Sequence, residues 1–137
     1  MKKRITARAI IFDKDNIILM KRKRKTDYGI LEYFSTVGGL QEDGETIEET
    51  LLREVKEETN LDVKITKKLG YIEKEDFKSY YFLCEIIGGE MTLGGEEAFY
   101  NNQDNYYELV VVPFNEVEGL NIFGKEKVLE GIKYLYD

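Results

Sequence analysis

From Arg4 to Phe12, apolar and polar positions alternate and then give way to an apolar end, which is the signature of a β-strand. Asp13-Lys14-Asp15-Asn16 has turn chemistry, and Ile17 to Met20 is a second short apolar run; together they predict a hairpin. The basic run Lys21 to Lys25 reads as a strand end or a loop. Tyr33 to Val37 is β-prone and runs into Gly38-Gly39. Leu61 to Tyr71 and Phe77 to Ile87 read as two strands around an acidic turn, and Tyr106 to Val112 as another, stopped by Pro113. Residues 88–105 are polar and glycine-rich, and a loop of that length inside a compact domain is often functional.

Two stretches have a helical period. Thr46 to Thr59 puts Ile47, Leu51, Leu52 and Val55 on an apolar side. Thr46 and Glu49 have the spacing of a capping box, and Asn60 follows the last turn, where a residue able to turn left-handed closes a helix. Gly124 to Tyr136 predicts a closing helix with Val128, Leu129, Ile132 and Leu135 on its inner face. The order of strands, helix, strands and helix predicts an α/β fold, a mixed sheet covered by helices on both faces. At 137 residues the chain is the size of a single domain, residues 1–137.

Composition narrows the chemistry. The net charge of −7 disfavours a nucleic-acid polymer as partner, but a small phosphorylated substrate remains open because a divalent cation can sit between two sets of negative charges. Histidine is absent, which removes histidine bases, histidine metal ligands and every Ser-His or Cys-His arrangement. A metal here must be held by oxygen, which favours Mg²⁺ or Mn²⁺ over zinc. Cys84, the lone cysteine, lies in the apolar run Tyr80 to Cys84 and reads as a buried core thiol. No apolar run reaches the roughly 20 residues of a membrane span. The basic start is followed by an apolar stretch broken by Arg8, a poor signal peptide. A soluble cytoplasmic protein is expected, with no membrane partner. The oligomeric state stays open, a homodimer among the options.

The segment from Gly39 to Leu61 carries the chemistry. A helix advances about 100° per residue, so Glu54, Glu57 and Glu58 fall within an arc of about 100° on one face. Three carboxylates so placed repel one another. Lys56 points elsewhere, and Arg53, four residues before Glu57, is one cation against three anions. A hard divalent cation would relieve the crowding. It would also offset the charge of substrate phosphates and activate a water for attack at phosphorus, while a carboxylate left free takes the proton. Gly38-Gly39 leads into a loop whose backbone can approach a ligand closely, and Glu45 sits at the mouth of the helix. A solvated acidic helix face with no ligand is the plain alternative. Six charged and glycine positions at this spacing, at about 6% usage each, would match by chance on the order of 10⁻⁸ per register, before the bias of acidic helices is allowed for.

This segment resembles the Nudix box, Gly-x5-Glu-x7-Arg-Glu-U-x-Glu-Glu-x-Gly-U with U apolar, and Gly39, Glu45, Arg53, Glu54, Val55, Glu57, Glu58 and Leu61 all match. Asn60 departs from the family's glycine, and Val37 stands where many members have proline. The order of the remaining elements, including Val111 to Val117, also looks like the family's. The resemblance implies an α/β/α sandwich and Mg²⁺-dependent hydrolysis of a nucleoside diphosphate linked to another group. It implies that Glu54, Glu57 and Glu58 bind the metal, that Arg53 orients the glutamates and that Glu45 helps position the loop. The base remains open between a box glutamate and an acid on a later loop.

Glu96 and Glu97 are candidates for that later acid, and the pattern does not choose between them. Arg22 lies where some relatives present an arginine to substrate phosphates, and a planar guanidinium suits them. Tyr28, Phe34, Phe77, Tyr80 and Phe99 could stack on a base, but aromatics are more often core. The first expectation is a nucleoside triphosphate diphosphatase releasing the monophosphate, with oxidised nucleotides among its substrates. The short chain without an added domain tilts toward it. An ADP-ribose or nucleotide-sugar hydrolase is the alternative within the class, and a nucleotide-binding module without catalysis is the alternative outside it.

Overall fold

Strand β1 (Arg4–Asp13) turns at Lys14 and Asp15 into β2 (Asn16–Thr26), and β3 (Gly29–Ser35) and β4 (Val37–Leu40) follow. Helix α1 (Ile47–Thr59) precedes the long pair β5 (Leu61–Glu73) and β6 (Phe77–Gly89). Then come β7 (Asn105–Pro113), a short 3-10 helix (Phe114–Gly119) and helix α2 (Lys125–Tyr136). These elements belong to the computed structural model, which describes residues 3–93 and 105–136. The strands form one mixed sheet in the order β3-β2-β1-β6-β5, with β4 beside β1 and β7 beside β2. β1 and β6 run parallel, and the other pairs are antiparallel.

The alternation of side chains sorts the core into two layers. Ala7, Ala9 and Ile11 of β1, with Phe82 and Cys84 of β6, pack under Leu51 and Val55 of α1. Their strand neighbours Ile10, Tyr81 and Leu83 face the opposite way, toward Val117 and Val128 of the 3-10 helix and α2. Successive strand residues point to opposite faces, so the two helices cover opposite faces of the sheet. That is the helix-covered mixed sheet expected from the order of elements. Cys84 is fully buried, and burial pushes its thiol up to about 12, an inert core position. Among the described residues no helix is long and apolar enough to cross a membrane.

One local expectation is decided and three need correction. Lys21 to Lys25 is the strand end rather than a loop, the second half of β2, paired on both sides with β3 and β7. Its cations are compatible with a sheet because they find cross-strand partners: Lys21 and Lys23 reach Glu32, and Arg22 lies directly opposite Tyr33 and Tyr107. Gly88 and Gly89 extend β6 rather than opening a loop. Gly89 is needed there because a Cβ would overlap the Asn60 carbonyl oxygen. Tyr33 to Val37 is divided at Thr36 between β3 and β4. Leu52 is 44% exposed, since it lies about 100° around α1 from the fully buried Leu51. Glu96, Glu97 and Phe99 lie outside the described residues.

Candidate functional site

Helix α1 is fixed at both ends by its own sequence. Thr46 accepts from the Glu49 amide at 3.1 Å, and the Glu49 carboxylate accepts from the Thr46 amide at 2.9 Å, closing the capping box. Asn60 takes the left-handed conformation at φ 63° and ψ 13°, the geometry that a glycine would also supply, so the departure from the box pattern leaves the helix end intact. With both ends set, the turn carrying residues 53–58 is presented to the loop that follows β4.

Arg53 organises that meeting. Its Nε and Nη2 donate to the two carboxylate oxygens of Glu45 at 2.6 and 2.9 Å, a bidentate pair. Nη2 also donates to the Leu40 carbonyl at 3.0 Å, and Nη1 to Glu54 at 2.9 Å and Glu57 at 3.2 Å. Glu45 further accepts from the Glu42 amide and the Thr50 hydroxyl, each at 2.9 Å. One ion pair therefore ties the loop of residues 40–45 to the carboxylate face. The Arg53 guanidinium, first of all, holds the Glu45 carboxyl down to about 2, and Glu45 in turn raises the Arg53 pKa still further above its usual range.

The three remaining glutamates are not equivalent. Glu58 is 5% exposed, and its carboxylate accepts from the Gly38 amide at 3.0 Å. Glu54 is largely buried, and a Cβ on Gly39 would stand 2.5–2.7 Å from its carboxylate atoms. A Cβ on Gly38 would overlap the Ala7 carbonyl oxygen. The glycine pair thus lets backbone, helix carboxylates and β1 approach one another where no side chain would fit. Glu57 is half-exposed. Lys56 turns away to Asn60 and Asp62, leaving the acidic face without a lysine.

Among the described residues no three carboxylates converge into a ready-made chelate. The geometry explains this: the Arg53 Nη1 stands between Glu54 and Glu57, and the Gly38 amide takes an oxygen of Glu58. The donors still suit a cation that uses one or two carboxylates and completes its shell with water and phosphate oxygens, as Mg²⁺ does. They are all hard oxygens, and the space kept open beside Glu54 by Gly39 is where a side chain would block access.

Gly38, Gly39, Arg53, Glu54, Glu57 and Glu58 line one cavity of about 520 Å³. Arg4, Arg8 and Arg22 line it as well. A second cavity of about 450 Å³ is lined by Arg24, Tyr33, Tyr81, Asn121 and Phe123, and the two meet at Arg8, Arg22, Ser35 and Thr36. The structure thus brings together every expected site residue it describes except Glu45, which stands one contact behind at Arg53. Of the aromatics named from the sequence, the described ones, Tyr28, Phe34, Phe77 and Tyr80, do not line either cavity. Tyr28 is fully exposed, Phe34 packs against the core, and the cavity uses Tyr33, Tyr81 and Phe123. Arg8, which in the sequence only breaks an apolar run, lines both cavities. Its signal was its register, since Thr6, Arg8 and Ile10 share a strand face and a cation on a core-facing position needs a reason.

Comparison with known proteins follows the same lines. The sequence model of the NUDIX domain matches residues 2–133. A Methanocaldococcus jannaschii protein named ADP-ribose pyrophosphatase is 40% identical over 93 residues, 63% of this chain and 53% of that protein. A Bacillus subtilis protein provisionally described as an 8-oxo-dGTP diphosphatase is 28% identical over 91 residues, 65% of this chain and 57% of that protein. The matches thus span little more than half the length of these curated relatives. The crystal structure of a MutT NUDIX hydrolase from Burkholderia pseudomallei superposes with a TM-score of 0.73 at 20% identity, over 96% of this chain and 98% of that one, a likeness of fold.

Proposed function

The chain belongs to the Nudix family, and from that premise we propose that it is a Mg²⁺-dependent hydrolase of a phosphoanhydride bond in a nucleoside diphosphate derivative. The observation that carries the proposal is the joining of Glu54, Glu57 and Glu58 to the Gly38-Gly39 backbone in one cavity, which meets an aromatic-lined cavity at Arg8, Arg22, Ser35 and Thr36. Bound there, a divalent cation would neutralise phosphate charge and make a water a better nucleophile. The chain's own residues do the rest. Glu54 and Glu57 line the cavity and would hold the cation, and Glu58 is held in place by the Gly38 amide. Arg53 fixes Glu54 and Glu57 in a single geometry, and Glu45 fixes Arg53. The water's oxygen attacks phosphorus, the bond from that phosphorus to the bridging oxygen breaks, and the proton goes to a carboxylate oxygen free of the cation. Tyr33 and Phe123 would contact the base in the neighbouring cavity.

An aromatic cavity for the base, meeting the carboxylate cavity at arginines, suits a diphosphate that carries a nucleoside on one side and a second group beyond the carboxylates. The archaeal relative named as an ADP-ribose pyrophosphatase supports the same choice, so ADP-ribose and nucleotide sugars come first. The second reading is a nucleoside triphosphate diphosphatase, including oxidised nucleotides, which the Bacillus relative supports. Product analysis on a panel of ADP-ribose, nucleotide sugars and intact and oxidised triphosphates, with Mg²⁺, Mn²⁺ or EDTA, tests both. Metal-dependent release of a nucleoside monophosphate supports the class, and the substrate with the highest kcat/KM decides between the readings. Nucleotide binding with no turnover on the whole panel would sink the enzymatic reading and leave a binding module.

A further inference from the structure

All five arginines of the chain line the two cavities, and among the described residues no lysine does. Arg53 is engaged by carboxylates. Arg4, Arg8, Arg22 and Arg24 make no ion pair among the described residues, although the protein is acidic overall and its lysines find many. A surface chosen only for solubility would not sort its cations this way. Arginine differs from lysine in offering a planar fork matched to phosphate oxygens.

Arg8 is the most informative of the four. It sits in the middle of β1, half-buried, on the face it shares with Ile10. One nitrogen, Nη1, donates to the carbonyls of Thr36 at 3.3 Å and Gly38 at 3.4 Å, both long for such bonds. These contacts orient the guanidinium without neutralising it, and among the described residues nothing accepts from Nε and Nη2, which leaves three N–H donors for another acceptor. A half-buried cation without a counter-ion is costly, so an anion delivered by a ligand has a site already prepared. Arg22 lies at the same junction, with its guanidinium carbon 4.6 Å from the Tyr107 ring centroid and 5.8 Å from that of Tyr33. The ring contacts fix the plane of the second fork. Ser35 and Thr36 add their residues to the same wall.

We infer that Arg8 joins Arg22, the arginine already expected to meet substrate phosphates, in a two-guanidinium clamp at the junction of the cavities, and that Arg8 grips the phosphate attached to the nucleoside. Arg8 is thereby a substrate-binding residue. The inference rests on the reading of the cleft as a nucleotide site, and it places that phosphate between the aromatic cavity and the carboxylates.

Calorimetric titration of AMP and GMP, and of adenosine and guanosine, into the protein without metal tests the clamp apart from catalysis, because a monophosphate has no anhydride to cleave. The wild-type protein is expected to bind at least one monophosphate about ten- to a hundredfold more tightly than its nucleoside, the yield of a charge-assisted contact. Arg8→Gln is expected to cut that ratio by about tenfold or more while nucleoside affinity stays within about twofold, and Arg8→Lys to fall between. A ratio unchanged in Arg8→Gln, an equal loss of nucleoside affinity, or no preference for the monophosphate in the wild type would overturn the inference. Turnover with an Arg8-independent ratio removes the clamp and keeps the hydrolase. An Arg8-dependent ratio without turnover on any substrate removes the hydrolase and keeps the clamp.

Discussion

Glu45 does not line the cleft, yet its carboxylate gathers Arg53, Thr50 and the Glu42 amide, and so sets the side chain that aligns Glu54 and Glu57. Its pKa is lowered from 4.5 to about 2, chiefly by Arg53. A carboxyl depressed on folding contributes stability that is complete above its unfolded value and is lost as pH falls through the folded one. The stability difference between the wild-type protein and Glu45→Gln should therefore be constant above about pH 5 and close between pH 4.5 and 2, as urea titrations across that range would read. A gap that persists at pH 2 would show that the pair acts through packing rather than charge. At Gly39 the obstacle to a side chain is the mobile end of Glu54, not backbone, so Gly39→Ala should displace that carboxylate and leave the fold alone. We expect kcat to fall by about 100-fold with a melting temperature shifted by no more than a few degrees, and a parallel collapse of both would refute the reading. At this scale the box residues were legible because their spacing is dictated by one helix face. Arg8 was not, because its meaning depends on which cavity meets β1.

Helix α1 is the element that carries the site, and its frame is local. The capping box and the left-handed Asn60 are written in consecutive residues, so its limits were readable with an error of one residue at the start. Thr46→Ala should cost about 1 kcal/mol in chemical denaturation, and Asn60→Gly should cost nothing or slightly stabilise, since only the backbone conformation is required. Asn60 also donates from its side chain to the Glu90 carbonyl at 3.0 Å, so a measurable loss in Asn60→Gly would show that this contact outweighs the relief of the left-handed conformation. Strand β2 is the contrary case. Five consecutive basic residues carry no strand signal of their own, and the extended conformation comes from Glu32, Tyr33 and Tyr107 on neighbouring strands. Those partners lie about ten and eighty residues away in sequence, beyond the reach of any local pattern.

For the molecule as a whole, the alternation along β1 and β6 divides the core into two layers, one under each helix. Helices on both faces were legible in the order of strands, helix, strands and helix, whereas the split of the core between them depends on which way each strand residue faces. The cleft was not legible, since it lies where β1 leaves β4 for β2, and a divergence of strands is a property of pairing rather than of composition. The central claim is that the carboxylate end of this cleft cleaves a phosphoanhydride with the help of a divalent cation. The most direct test follows nucleoside monophosphate release from ADP-ribose and the triphosphate panel for the wild-type protein and Glu57→Gln, with Mg²⁺ and with EDTA. The account predicts turnover that EDTA abolishes and that Glu57→Gln lowers by about a hundredfold or more, the scale of losing a group that acts at the reacting centre. Turnover indifferent to EDTA, or undiminished in Glu57→Gln, would contradict it.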